Sequence, residues 1–293
     1  MPINDTQPRQ DVGSHRRALA ALHCAVALFG FAGLFGKWLA LPAVSIVFGR
    51  SAIAAVALSL LLHFAREAGP RGSFDWRLVA GGAVLALHWA SFFEAIQVAS
   101  VAVGLLGFAS FPLFVMVLEA GLRQRALHAA EWLTAALVTA GLAFLVPEFS
   151  LENRTVQGLA WGLVSGFTFA LLAVNNRALA VRHGPGAIAL WQNACAALVL
   201  LPFVIAAPAM PSARDVALLL VLGVACTALS HTLFIRSLRV LSAHTASVVA
   251  ALEPVYGLAL AFFLLGETPS TRILTGGALI VGAALFATMR GFR

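Results

Sequence analysis

Charge is what this sequence lacks. Only 11% of its 293 residues are charged, against about 25% in soluble domains, while 61% are hydrophobic and the mean hydropathy is +0.93. A soluble fold of this composition would leave its surface without the ions that keep it in water. Cysteine is scarce too. Cys24, Cys195 and Cys226 each sit in an apolar run with no CxxC spacing, which excludes a disulfide scaffold and a thiolate metal site. No HExxH, GxSxG, paired-aspartate or glycine-rich phosphate motif occurs, so nothing supports an enzyme. No filter-like loop or repeated ring of charge supports a channel. The net charge of +7 is scattered singly along the chain, which argues against a nucleic-acid partner.

What is present is a series of long apolar stretches. A helix crossing about 30 Å of hydrocarbon needs roughly 20 mainly apolar residues. Ten stretches approach this length: Ala18 to Gly36, Ala43 to Ala65, Trp76 to Gln97, Ser100 to Glu119, Ala129 to Val146, Gln157 to Asn176, Pro185 to Ala207, Asp215 to Ser237, Ala243 to Leu265 and Thr271 to Met289. The polar tail 1–17 lacks a small-residue cleavage site after the apolar run that follows it, so no removable signal is expected. When connections are assigned alternately to the two sides, fourteen basic residues fall on the N-terminal side. Only Lys37, Arg154, Arg214 and Arg272 fall on the other, and Arg50 lies within a stretch. The positive-inside rule then predicts an all-α integral membrane protein of ten transmembrane helices with both termini cytoplasmic, in an inner membrane.

An offset of 142 places Pro112 on Pro254, Phe92 on Phe234, Val98 on Val240, Ser100 on Ser242 and Arg50 on Gln192. Residues 18–147 and 157–290 therefore read as two five-helix repeats. An odd number of spans makes the second repeat enter the bilayer from the opposite side, which gives an inverted-topology pair. Such pairs support alternating access around a midplane site. The expected partners are a small-molecule substrate and the lipid bilayer, with no cofactor or metal. A homodimer stays open, because glycine faces serve contacts within and between chains alike.

The segment SAHTASVVAALEPVYGLALAFFLLGE from Ser242, followed by GGALIVGAAL from Gly276, is similar to the second repeat of the EamA family of the drug/metabolite transporter superfamily. The first repeat matches more loosely, with Phe111 where the second has Glu253 and Arg125 opposite Glu267. The resemblance runs from the first stretch to the end. Within the superfamily, length, the His88-Trp89 pair and the aromatic-rich interior look most like YddG-type exporters of aromatic and other amino acids. The resemblance implies export of such amino acids through a midplane cavity. Multidrug carriage, another metabolite, or import by exchange are the alternatives.

The candidate site residues each have a plainer reading. Arg50, seven residues into the second stretch, either attracts a substrate carboxylate or serves structurally, by snorkelling or by pairing with an internal acid. The structural role is the expected one. Glu253, just before Pro254, either carries a proton or binds an ammonium group, or else bridges to Arg50 or caps a helix. His88 and Trp89 offer an imidazole and a flat indole, and the family resemblance points His88 at the cavity. For His23, His63 and His231 a hydrogen bond to a backbone carbonyl or a serine is the expectation. Phe92, Phe108, Phe111, Trp161 and Tyr256 are candidates for aromatic walls, although most of the 21 phenylalanines should face lipid or pack between helices. Pro112 and Pro254 mark hinges. Gly30 and Gly33 in the first stretch, with Gly162 and Gly166 in the sixth, mark close and slidable packing.

Overall fold

A computed structural model describes residues 12–64, 75–122, 124, 126, 128–145, 150 and 152–291. The start of the polar tail, the connection that carries Arg66 and Arg71, and the junction around 147 lie outside the described residues. The described chain is all-helical: α1 (Val12–Trp38), α2 (Ala43–Phe64), α3 (Trp76–Val98), α4 (Val101–Phe108), α5 (Phe111–Leu122), α6 (Ala129–Leu145), α7 (Arg154–Leu179), α8 (Pro185–Ala206), α9 (Ala213–Gly223), a π-helical turn (Val224–Leu229), α10 (Ser230–Ser237), α11 (Ala243–Ala250), α12 (Glu253–Leu265) and α13 (Thr271–Gly291). Seven helices or continuous helical runs are long and apolar enough to cross a membrane: α1, α2, α3, α4–α5, α7, α8 and the run from α9 to α10. The apolar helices Ala129–Leu145, Glu253–Leu265 and Thr271–Ala283 are shorter.

Local chemistry sets the helix ends. Asp75 caps α3 by accepting from the Arg77 amide at 3.0 Å, and Ser100 caps α4 by accepting from Val103 at 3.2 Å. Ser212 and Asp215 form a reciprocal capping box on α9. Asp215 Oδ1 also accepts from the Ala40 amide at 3.2 Å, tying the α1–α2 turn to α9. α12 stops at Gly266, whose φ of 68° is the left-handed conformation that glycine adopts without steric cost. The Glu267 amide then reaches back to the Ala261 carbonyl.

Two apolar stretches are broken in the same way. α4 gives way to α5 at Ala109 and Ser110, and α11 gives way to α12 at Ala251 and Leu252. In each break a four-residue hydrogen bond is followed by a three-residue one: Ala109 to Leu105 and Ser110 to Gly107, then Ala251 to Ser247 and Leu252 to Val249. Pro112 and Pro254 follow immediately. Neither has an N–H to continue the ladder, so the chain restarts a new helix at each.

The helices pack in matched pairs. α2 lies against α8 and α6 against α13, while α3 meets α7 as α1 meets α10, and α5 meets α7 as α1 meets α12. Glycines permit the closest approaches. A Cβ on Gly162 would stand 2.8 Å from the Gly107 Cα, and one on Gly30 would stand 3.0 Å from the Gly257 amide nitrogen. Gly166 meets Ser110 and the Phe108 carbonyl just as tightly, whereas Gly33 makes only ordinary contacts with Ile96, Val101 and Leu105. The main core runs through α1 to α5 and α7 to α12, with Phe35, Phe93, Phe111 and Phe234 fully buried. Large apolar side chains such as Phe64 and Phe263 lie 78% and 79% exposed on the outside, a surface suited to lipid and not to water.

Candidate functional site

Where α1, α2, α3, α4, α7, α10 and α12 converge, they enclose a cavity lined by Phe29, Ala32, Arg50, Leu85, His88, Trp89, Phe92, Phe108, Phe169, His231 and Glu253. Its empty volume is ≈ 420 Å³, little of it roomy enough to seat a water molecule.

Arg50 is 1% exposed, one of the largest fully buried side chains in the protein. The cost of holding a cation at this depth is offset locally. Its Nε donates to Thr227 Oγ1 at 2.9 Å and its Nη2 to the Cys226 carbonyl at 3.0 Å. Hydrogen bonds of this charge-assisted kind are worth about 1.5–3 kcal/mol each. The guanidinium also lies 4.0 Å from the Trp89 ring centre and 5.3 Å from that of Phe93. The π turn creates this seat. Its shifted ladder lets the Thr227 hydroxyl bond the Leu222 carbonyl five residues back while accepting from Arg50.

Arg50 therefore neither snorkels to the headgroups nor pairs with Glu253. No ion pair within 4.0 Å joins them among the described residues. Glu253 is 3% exposed, stands at the first turn of α12, and has an Oε2 atom with no hydrogen-bond partner.

The two histidines are held in defined tautomers by their neighbours. His88 Nδ1 lies 3.0 Å from the Ser165 carbonyl, an atom that can only accept, so Nδ1 carries the proton and Nε2 keeps a lone pair. Ser165 Oγ also lies 3.0 Å from Nδ1. The imidazole stacks on Phe169 at 4.8 Å and 28°, with Phe108 at 5.7 Å. In α8, the Asn193 side-chain amide donates to the Ala189 carbonyl and turns its nitrogen towards His231 Nδ1 at 3.4 Å. That nitrogen of His231 is then an acceptor, and its Nε2 carries the proton. His231 packs edge-on against Trp89 at 5.8 Å.

Of the expected site residues, the structure brings together Arg50, His88, Trp89, Phe92, Phe108 and Glu253. Trp161 and Tyr256 lie elsewhere. They are 41% and 36% exposed, and neither lines the cavity, because α7 and α12 turn those positions outward. Phe111 is buried behind the wall, stacked on Phe108 at 5.6 Å. His231 lines the cavity with a side-chain partner, in place of the backbone or serine contact expected for it. Sequence reasoning passed over Phe29 and Phe169, two of many phenylalanines in apolar runs, and it passed over the π turn. The repeat relation held one usable signal, because the offset that pairs Trp89 with His231 places both at this cavity.

Comparison with known proteins agrees with this architecture. The EamA-like transporter family matches residues 16–146 and again 156–289. The chain is 31% identical over 255 residues to the pseudopaline exporter CntI of Pseudomonas aeruginosa strain UCBPP-PA14, covering 86% of this chain and 88% of that one. It is 27% identical over 198 residues to an uncharacterized transporter of Archaeoglobus fulgidus, covering 68% of this chain and 71% of that protein. A crystal structure of a protein 19% identical in sequence shares the fold, with a TM-score of 0.69 over 96% of this chain and 99% of that one. A helical membrane body and two successive family matches lead to one conclusion: this chain belongs to the EamA-like transporter family.

Proposed function

We propose that this transporter exports small amphipathic metabolites, aromatic and other hydrophobic amino acids foremost, by alternating access through the cavity around Arg50, His88 and Glu253. One observation carries the reading. A buried cation and a buried carboxyl group share a cavity walled by Phe29, Trp89, Phe92, Phe108 and Phe169, yet they do not pair with each other. Charges inside a membrane protein are costly, so two kept apart at one cavity fit a guest with its own polar end and an apolar body.

Ten crossings in two inverted five-helix repeats, with both termini cytoplasmic, is the topology we assign. It is supported by the helix breaks at 109–110 and 251–252, which the offset of 142 superposes, and by the reciprocal packing of helices from the two halves. The narrowness of the cavity supports alternating access. An aromatic amino acid enters only if the surrounding helices part, and the half-helices α4 and α12 at the two breaks are the elements placed to move.

The test is counterflow in proteoliposomes with labelled phenylalanine, tryptophan and a cationic drug, run with and without an imposed pH gradient. Saturable amino-acid exchange is expected. Drug flux without amino-acid flux would move the chain to multidrug carriage. A second reading, export of pseudopaline itself, is favoured by the 31% identity to a pseudopaline exporter, and competition by that compound in the same assay would select it.

A further inference from the structure

We infer that the cavity holds its guest as a zwitterion, with the carboxylate on the free edge of the Arg50 guanidinium and the ammonium group on Glu253. This rests on the amino-acid reading above and names the contact made by each polar end.

An arginine side chain carries five N–H donors. Thr227 Oγ1 takes the one on Nε and the Cys226 carbonyl takes one on Nη2, which fixes the Arg50 guanidinium to the π turn. The Nη1–Nη2 edge stays free. Nη1 has no hydrogen-bond partner among the described residues, yet it is not sealed in the protein, so it opens on the cavity that Arg50 lines. Together with the second N–H of Nη2 it forms a two-bond fork of the kind that a carboxylate fits. Other donors gather beside it. The guanidinium stands over the Trp89 ring at 4.0 Å, and the Trp89 indole N–H is also unpartnered and open. His231, whose Nε2 carries the proton, packs on the same ring at 5.8 Å. At Glu253 the chemistry is reversed. Its two oxygens have no donor among the described residues, Oε2 sealed in the protein and Oε1 open, and the acid makes no ion pair with Arg50 within 4.0 Å. An ammonium group brings three N–H bonds and the opposite charge to that point. A guest with both ends gives each of the two ions a counter-ion. A lone amine leaves Arg50 facing no anion and a lone acid leaves Glu253 facing no cation, and in a low-dielectric interior an ion left so costs far more than in water. The apolar body of the substrate then lies among Phe92, Phe108 and Phe169, which pack around His88.

Two probes each lack one end of phenylalanine. 2-Phenylethylamine keeps the ring, the link and the ammonium group but has no carboxylate, whereas 3-phenylpropionate keeps the ring, the link and the carboxylate but has no ammonium group. Each is compared with phenylalanine itself on the purified full-length protein, by thermal stabilisation and by displacement of labelled phenylalanine in proteoliposomes. Both probes are expected to need at least about tenfold higher concentrations than phenylalanine, the scale of one lost charged contact. Glu253→Gln should erase the gap between the acid and phenylalanine, and Arg50→Gln the gap between the amine and phenylalanine. Each ratio is read within one variant, so a general loss of stability does not produce it.

A probe that matches phenylalanine on the unaltered protein shows that the end it lacks is not held, and overturns the inference while leaving amino-acid transport standing. A gap unchanged by Glu253→Gln or by Arg50→Gln overturns the assignment of that end to that residue. Phenylalanine that neither stabilises the protein nor exchanges overturns the amino-acid reading, and the inference with it. If a variant does not fold, the two probes on the unaltered protein still decide whether both ends are held.

Discussion

A single side chain shows how this interior tolerates charge. Arg50 is held at depth because the π turn offers it the Thr227 hydroxyl and the Cys226 carbonyl as acceptors. Replacing Thr227 by valine keeps the shape but leaves the Arg50 Nε donor without its acceptor. The variant should lose about 1–3 kcal/mol, read as a lower thermal midpoint in detergent. Aromatic positions give a second prediction. Phe169→Leu opens the ring stack on His88 and should reduce phenylalanine exchange severalfold. Trp161→Ala and Tyr256→Ala, at outward positions, should leave the exchange rate near that of the unaltered protein. At this scale the sequence is only partly legible. Arg50, His88 and Glu253 stand out because polar groups are rare in apolar runs. Phe169 does not, since its place in the wall depends on how α7 is rotated, which a run of apolar residues leaves undetermined.

Elements are more legible. Pro112 and Pro254 announce the breaks in their stretches, since a residue without an N–H cannot continue a helix ladder, and helices restart beside both. Pro254→Ala should let α11 and α12 join into one rigid rod. The expected outcome is slower substrate exchange with an unchanged or raised thermal midpoint, because alanine is favoured over proline inside a helix by about 3 kcal/mol. The glycine contacts separate into tight and idle positions. Gly162→Ala drives a methyl group against the Gly107 backbone and should cost about 1–3 kcal/mol by forcing α4 and α7 apart. Gly282→Ala, inside α13, meets nothing within 4 Å and should not lower the same melt. The glycines flag close packing in the sequence, but Gly33 carries the same flag and makes only ordinary contacts. Which glycines are needed depends on a partner helix far away in the chain. The π turn, which packs against α2, carries no residue-type signature in the sequence.

For the whole molecule, the distribution of arginine and lysine is the most informative feature of the sequence. Several arginines of the side assigned as cytoplasmic hold loop carbonyls. Arg177 binds the carbonyls of Leu238 and Leu241, and Arg239 binds those of Ala180 and His183. At the other end Lys37 and Arg154 do the same for Ala99 and Val98. These contacts are the same in kind at both ends, so the proposed orientation rests on the charge bias alone. In a variant freed of native cysteines, Arg214→Cys should react with an impermeant thiol reagent added to intact cells. Arg182→Cys should react only after permeabilisation.

The π turn has a consequence for direction. It occupies residues 224–229, and the positions 142 residues earlier, 82–87, lie in regular α-helix within α3. The polar groups differ across the same offset, with Arg50 against Gln192, Glu253 against Phe111 and His231 against Trp89. Two like halves meeting on an axis would offer an elongated guest two equivalent ways to lie. Here the cavity groups differ across the offset, so its two sides present different chemistry to a guest, and one preferred orientation is the expected outcome in a structure with substrate bound.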